Sequence, residues 1–173
     1  GGILITQTES LAQFFQDERF YSGSILDPHS AWLLRRSLQT FPLRMKEHQR
    51  VTLEMRDYLN TISSVESVYY PLVDNTQLTG YGGILFFSFK PHLANAYSLF
   101  IKQLHLYGTG TGMACVTSMV AQPYSGSHAS LTDQEKEEMG LDKSLVRLCF
   151  GFEDPDDLKK DLAQAFRAIE ITL

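Results

Sequence analysis

Cysteine is scarce in this sequence. Cys115 and Cys149 are its only two, and neither has a CxxC partner. Together they make neither a disulfide framework nor a zinc knuckle, so a reducing, cytoplasmic setting is expected. Surplus positive charge is missing as well: 15 Lys and Arg stand against 20 Asp and Glu, for a formal net charge of −5. Such a chain has no field that gathers phosphates along a duplex, and nucleic acid is not an expected partner. No window reaches the roughly 18 apolar residues that a membrane span needs. The opening Gly1-Gly2-Ile3-Leu4-Ile5 also lacks a basic leader, so no membrane partner is expected either. His29, His48, His92, His105 and His128 form no HExxH, and no serine sits in GxSxG; core or surface roles are expected for the histidines, and no metal site. Internal repeats and low-complexity tracts are absent too.

What is present is an ordinary globular composition, 43% apolar and 20% charged over 173 residues, enough for one core. The apolar opening run has no partner upstream, so the chain reads as a fragment entering mid-fold. Leu11, Phe14 and Phe15 share one face of a helix that starts at Ser10 and stops near Gly23. Asp27 caps a second helix whose first residue is Pro28, with Trp32, Leu33 and Leu34 turned inward. Pro42 sits in the first turn of a long helix to about Ile62, carrying Val51, Met55, Leu59 and Ile62 one turn apart. The second half alternates. Residues 65–70 and 84–89 read as strands, Pro91 starts a helix that turns Leu93, Tyr97, Phe100, Ile101 and Leu104 inward, and Thr132 with Glu135 has capping-box spacing closed by Gly140. Residues 145–152 read as a strand, and Asp154-Pro155 opens a last helix striped by Leu158, Leu162, Phe166 and Ile169. The sum is a mixed sheet covered by helices.

Three features invite a functional reading. Gly108-Thr109-Gly110-Thr111-Gly112 would let backbone amides approach an anion, but it follows a helix and no Gly-Lys-Ser/Thr ends it, so a flexible connector is expected. The basic residues Arg35, Arg36, Arg44, Lys46 and Arg50 contrast with an acidic stretch over 133–161, and the run Glu135-Lys136-Glu137-Glu138 reads as a solvated face. Arg147 is the third. Alternation sends Val146, Leu148, Phe150 and Phe152 to one side of the strand and leaves Arg147 with Cys149 and Gly151 on the other. A guanidinium in so apolar a strand needs an anion, which is either an internal carboxylate or a ligand's.

Several stretches together resemble the C-terminal part of the Cys/Met-metabolism family of pyridoxal-phosphate (PLP) enzymes, the cystathionine synthases and lyases, methionine γ-lyase and the acylhomoserine sulfhydrylases. Arg36-Ser37-Leu38-Gln39-Thr40-Phe41-Pro42-Leu43-Arg44-Met45 is similar to the family's Arg-Gly-Leu-Lys-Thr-Leu-x-x-Arg-Met. Residues 65–71 resemble its Val-x-x-Val-x-Tyr-Pro, and Gly82-Gly83-Ile84 its glycine-led strand. The ending Leu145-Val146-Arg147-Leu148-Cys149-Phe150-Gly151-Phe152-Glu153-Asp154 resembles Leu-(Ile/Val)-Arg-Leu-Ser-(Val)-Gly-(Ile/Leu)-Glu-Asp, and Asp161-Leu162 with Ala165 follows as in the family's Asp-Leu-x-x-Ala.

The resemblance implies an α/β chain whose α+β small domain has a mixed, largely antiparallel sheet covered by helices on one side. It implies three regions: residues 1–40 as a remnant of the large PLP-binding domain, 41–62 as a connecting helix, and 63–173 as the substrate-positioning domain. The family's Schiff-base lysine precedes a pair similar to Gly1-Gly2, so it would lie upstream; neither Lys46 nor Lys90 has its Ser-x-Thr-Lys context. No catalytic and no cofactor-binding residue is therefore expected in this chain. It would be inactive alone, its partners being an amino-acid substrate, the missing N-terminal PLP domain and further copies in a tetramer. Arg147 matches the arginine that grips the substrate's α-carboxylate, and Ser127 replaces the family's threonine before its histidine. Where the family reads Glu-Ser-Leu-Gly-Gly, gapless alignment from Pro123 and His128 gives Thr111-Gly112-Met113-Ala114-Cys115. Two functional side chains are lost or shortened there, which leaves a degenerate binding or scaffold relative as the alternative to an enzyme.

Overall fold

Capping chemistry places the helices. Asp27 accepts the amide hydrogens of His29 and Ser30, each at 3.0 Å, and Pro28 occupies the first position of the helix behind it. The computed structural model describes residues 2–71, 78 and 80–173. It divides into two compact units, Gly1–Leu43 and Arg44–Leu173. Gly1 of the Gly1-Gly2 pair lies outside the described residues.

The first unit holds α1 (Glu9–Ser22), ended by Gly23 at φ +70°, and α2 (Pro28–Leu38). Neither helix buries a residue. This corrects the expected inward face of α2, because Trp32 is 57% and Leu33 42% exposed, and Leu34 is only half-buried. Periodicity finds an apolar face; it does not supply the surface that covers one.

The second unit is a five-stranded sheet in the order β1-β2-β5-β4-β3. Its strands are β1 (Val65–Tyr69), β2 (Ile84–Phe89), β3 (Gly108–Thr109), β4 (Met119–Ala121) and β5 (Leu145–Cys149). All neighbours pair antiparallel except β3 with β4, which run parallel. Four helices accompany it: α3 (Phe41–Leu59), α4 (Tyr97–Gln103), α5 (Asp133–Glu138) and α6 (Pro155–Thr172). Pro91 starts a 3-10 turn, and α4 follows it.

Alternation sorts the sheet into two faces. Leu85 lies opposite Leu148, Phe87 opposite Val146, and Leu148 again opposite Val120. These residues are fully buried with Val51, Met55 and Leu59 of α3, Phe100 of α4 and Leu158, Leu162 and Ile169 of α6. Phe87, Phe89, Phe100 and Phe166 interlock there with centroids 5.0–6.2 Å apart, within the range where aromatic pairs attract. The other face carries Phe86, Arg147, Cys149, Met119 and Ala121.

Candidate functional site

Strand β5 supplies the centre of the site. Val146 and Leu148 are fully buried in the core, so the intervening Arg147 points to the opposite face, between Phe86 of β2 and Ala121 of β4. Its Nε and Nη2 are buried and have no hydrogen-bond partner. No ion pair among the described residues includes it. Of the two anions that the sequence leaves open for Arg147, the internal carboxylate is therefore not found among the described residues. Buried donors without acceptors are costly, about 1–3 kcal/mol each, and such an exception calls for an explanation. Beside it, burial pushes the Cys149 thiol up while the Arg147 charge draws it down; Cys115 adds a smaller upward push.

Past Cys149 the β4–β5 pairing continues through both backbone and side chains. Phe152 N–H donates to the Val116 carbonyl at 2.9 Å. Between these strands the Glu153 carboxylate accepts the Ser118 amide at 2.6 Å and the Ser118 hydroxyl at 2.8 Å. Ser118 Oγ in turn accepts Gly151 N–H at 3.0 Å. Position 151 has to be glycine, because a Cβ there would stand 2.2 Å from the Val116 oxygen. The strand's end is also tied to α3, where buried His48 donates from Nδ1 to the Phe150 carbonyl at 2.7 Å and stacks 4.5 Å from Phe152. His48 thus has the core role expected of it, with Nε2 left unpartnered.

The glycine-rich segment is not the flexible connector that its composition predicts. Gly108 and Thr109 form β3 against Met119 and Val120, and Gly110 N–H donates to Val120 at 3.0 Å. Glycine composition hides so short a strand, since nothing alternates in it. Downstream, Ala114 has φ +53°, the one non-glycine with positive φ among the described residues. A Cβ on Gly112 would meet Cys115 Sγ at 3.1 Å and Met119 Cγ at 3.5 Å. Gly112 therefore offers no side chain to a ligand, and a serine there would force Cys115 to move.

Ser127 lies exposed between β4 and α5, its hydroxyl 2.9 Å from His128 Nδ1. No hydrogen bond joins it to Arg147 among the described residues. The capping box at Thr132 and Glu135 forms as predicted, and Glu135, Glu137 and Glu138 are solvated as expected, but Lys136 is not. Lys136 is 6% exposed, with Nζ 4.3 Å above the Tyr124 ring and 3.8 Å from Asp133; its stem packs while the charge finds an aromatic face.

The comparisons with known proteins agree on one family. Residues 1–167 match the model of the Cys/Met metabolism PLP-dependent enzymes. The chain belongs to that family. It is 28% identical over 177 residues to a cystathionine gamma-lyase of Bacillus subtilis (strain 168), covering 98% of this chain and 46% of that protein. It is 32% identical to an L-methionine gamma-lyase of Pseudomonas putida, covering 85% and 39%. Among solved structures, a cystathionine gamma synthase from Xanthomonas oryzae pv. oryzae in complex with cystathionine superposes with a TM-score of 0.86 at 26% identity, covering 98% and 46%. The chain thus spans less than half the length of these relatives. Family membership implies PLP, whose aldehyde needs an amine that is available to it. The one buried lysine among the described residues, Lys136, is taken by Asp133 and Tyr124, and Lys159 and Lys160 are ion-paired. These three amines are engaged elsewhere, and no step is derived through the cofactor. Among the described residues no helix is long and apolar enough to cross a membrane.

Proposed function

We propose that this chain is the C-terminal, substrate-positioning part of a PLP-dependent transsulfuration-type enzyme. Its reaction is elimination or replacement at Cβ or Cγ of sulfur-containing or O-acylated amino acids. The observation that carries the reading is Arg147, whose two buried nitrogens lack any partner on the open face of the sheet. A planar guanidinium grips a carboxylate at two points. Held so, an amino acid is fixed about Cα, and orientation of the bond to be broken is what positioning residues contribute to rate. Ser127, exposed between β4 and α5, is proposed to offer its hydroxyl to the substrate.

Residues 1–40 are proposed to belong with the large PLP-binding domain, 41–62 to connect, and 63–173 to form the positioning domain. The lysine that binds PLP lies on this reading in the N-terminal domain, the chain alone is inactive, and the parent is a cytoplasmic homotetramer. In the full-length protein, Arg147→Ala should raise KM for the amino acid about ten- to hundredfold, the loss of a charged hydrogen bond. The visible absorption of the cofactor should persist. Unchanged kinetics would defeat the assignment.

Gly112 supports a second reading. The side chain that would assist Arg147 is missing, and Cys115 leaves no ready room for one. A degenerate relative that serves as a binding or scaffold module accounts for this. Full-length protein that takes up PLP without a shift in its absorption would favour the degenerate relative; uptake with the shifted band of an imine would favour the enzyme.

A further inference from the structure

We infer that Glu153 and Ser118 are positioning residues for the carboxylate grip of Arg147, acting through the wall that they clasp to the open face of β5. The inference rests on the reading of Arg147 above. Gly151 falls on the same face of the extended chain as Arg147 and Cys149, and there the Val116 carbonyl and the Glu153 carboxylate stand 2.2 and 2.7 Å from where a Cβ would be. The segment 116–118, bonded alongside this chain, therefore closes against Gly151. Its attachment is a closed set: Glu153 takes both hydrogens of Ser118, and Ser118 takes the amide hydrogen of Gly151.

From Ser118 the wall reaches toward Arg147 in two steps. Met119 lies directly opposite Cys149, the next residue on Arg147's face. Gly112 packs against Met119 and Cys115, and Cys149 feels the charges of both Arg147 and Cys115. The chain from 112 to 119 thus lies beside Cys149, the neighbour of Arg147 on its face. A wall that excludes water strengthens a charged hydrogen bond, because the same pair is worth far less at the dielectric of bulk water.

The test uses the full-length protein loaded with its cofactor, with glycine as the probe because it offers an α-carboxylate and no side chain. Glu153→Ala and Ser118→Ala should each weaken glycine binding about tenfold, the size of a lost charged hydrogen bond. Glu153→Gln, which can still accept from the Ser118 amide, should stay within about threefold of the parent. Glycine affinity in Ser118→Ala equal to the parent overturns the inference, as does Glu153→Gln falling as far as Glu153→Ala. Should Glu153→Ala not fold, Ser118→Ala and Glu153→Gln decide alone. Arg147→Ala run in parallel separates the two readings. If it weakens glycine while Ser118→Ala does not, only the clasp is wrong; if it too leaves glycine binding unchanged, the assignment of Arg147 is wrong and the clasp falls with it.

Discussion

The two faces of one sheet carry opposite bargains between packing and polarity. On the helix side, Leu85, Phe87, Val146, Leu148 and Val120 are fully buried and satisfied by hydrocarbon alone. On the open side, residues from the same strands include a guanidinium with bare nitrogens and a thiol, and just past β5 stands Gly151, forced by close backbone approach. Packing and the proposed function are therefore separated by a single residue along β5: Leu148 is fully buried in the core, and Arg147 carries the proposed carboxylate contact. Natural proteins often place their violations of packing rules at sites of function; of the buried unpartnered groups here, Arg147 lies on the open face, whereas His48 Nε2 and the Tyr107 hydroxyl do not.

The largest break in this comparison is expected from the helix side. Phe87→Ala removes a ring that contacts Phe89, Phe100 and Phe166, and a cavity of that size costs about 3–5 kcal/mol; the urea midpoint should fall accordingly. On the open face, Gly151→Ala drives a methyl into the Val116 carbonyl. Overpacking of that kind costs about 1–3 kcal/mol, and here it should also unseat the Ser118–Glu153 clasp. Urea unfolding together with glycine binding tells the two faces apart: Phe87→Ala should lower stability and leave affinity of the folded protein alone, while Gly151→Ala should lower both.

Much of the helix side is legible in the residues. The stripe Leu158, Leu162, Phe166 and Ile169 repeats at one turn and is buried, and alternation in β5 places Arg147 correctly because a period of two leaves no third option. The open side is read less well. Strands β3 and β4 have two and three residues, too short for any period. The strand expected over 145–152 ends at Cys149; beyond it Phe150 and Phe152 still donate backbone bonds to Gly83 and Val116, but the Gly151 amide goes to the Ser118 hydroxyl. Glu153 was visible within the Gly-x-Glu-Asp ending, but its partner lies 35 residues away, and no local pattern announces such a pair. Burial of Lys136 was hidden by its acidic neighbours, and the exposure of Trp32 by its apolar ones.

A smaller effect should come from Ala114. A left-handed conformation costs an alanine about 1–2 kcal/mol, and glycine returns part of this by gaining freedom in the unfolded chain. Ala114→Gly should therefore raise stability by about 0.5–1 kcal/mol, seen as a higher urea midpoint. No change would mean that the segment adopts another conformation in solution.

The smallest effect at neutral pH is expected at Tyr107, and it sharpens the comparison most. Its hydroxyl, like the Arg147 nitrogens, is buried without a partner, but Tyr107 belongs to the core cluster. If an orphaned polar group marked function by itself, both would matter for binding; if the face decides, only Arg147 does. Tyr107→Phe should leave glycine affinity unchanged and stability equal or up to about 1 kcal/mol higher, since an unpaired group is removed. Its signature lies at alkaline pH. Burial, with Asp161 and Glu153 nearby, pushes the phenol well above its ordinary pKa of 10.0. The folded state then holds a proton that the unfolded chain gives up, so stability falls as pH climbs past that value. Phenylalanine has no such proton. Urea midpoints measured between neutral pH and pH about 11 should therefore decline less steeply in Tyr107→Phe than in the parent, and parallel declines would place the hydroxyl in water rather than in the core.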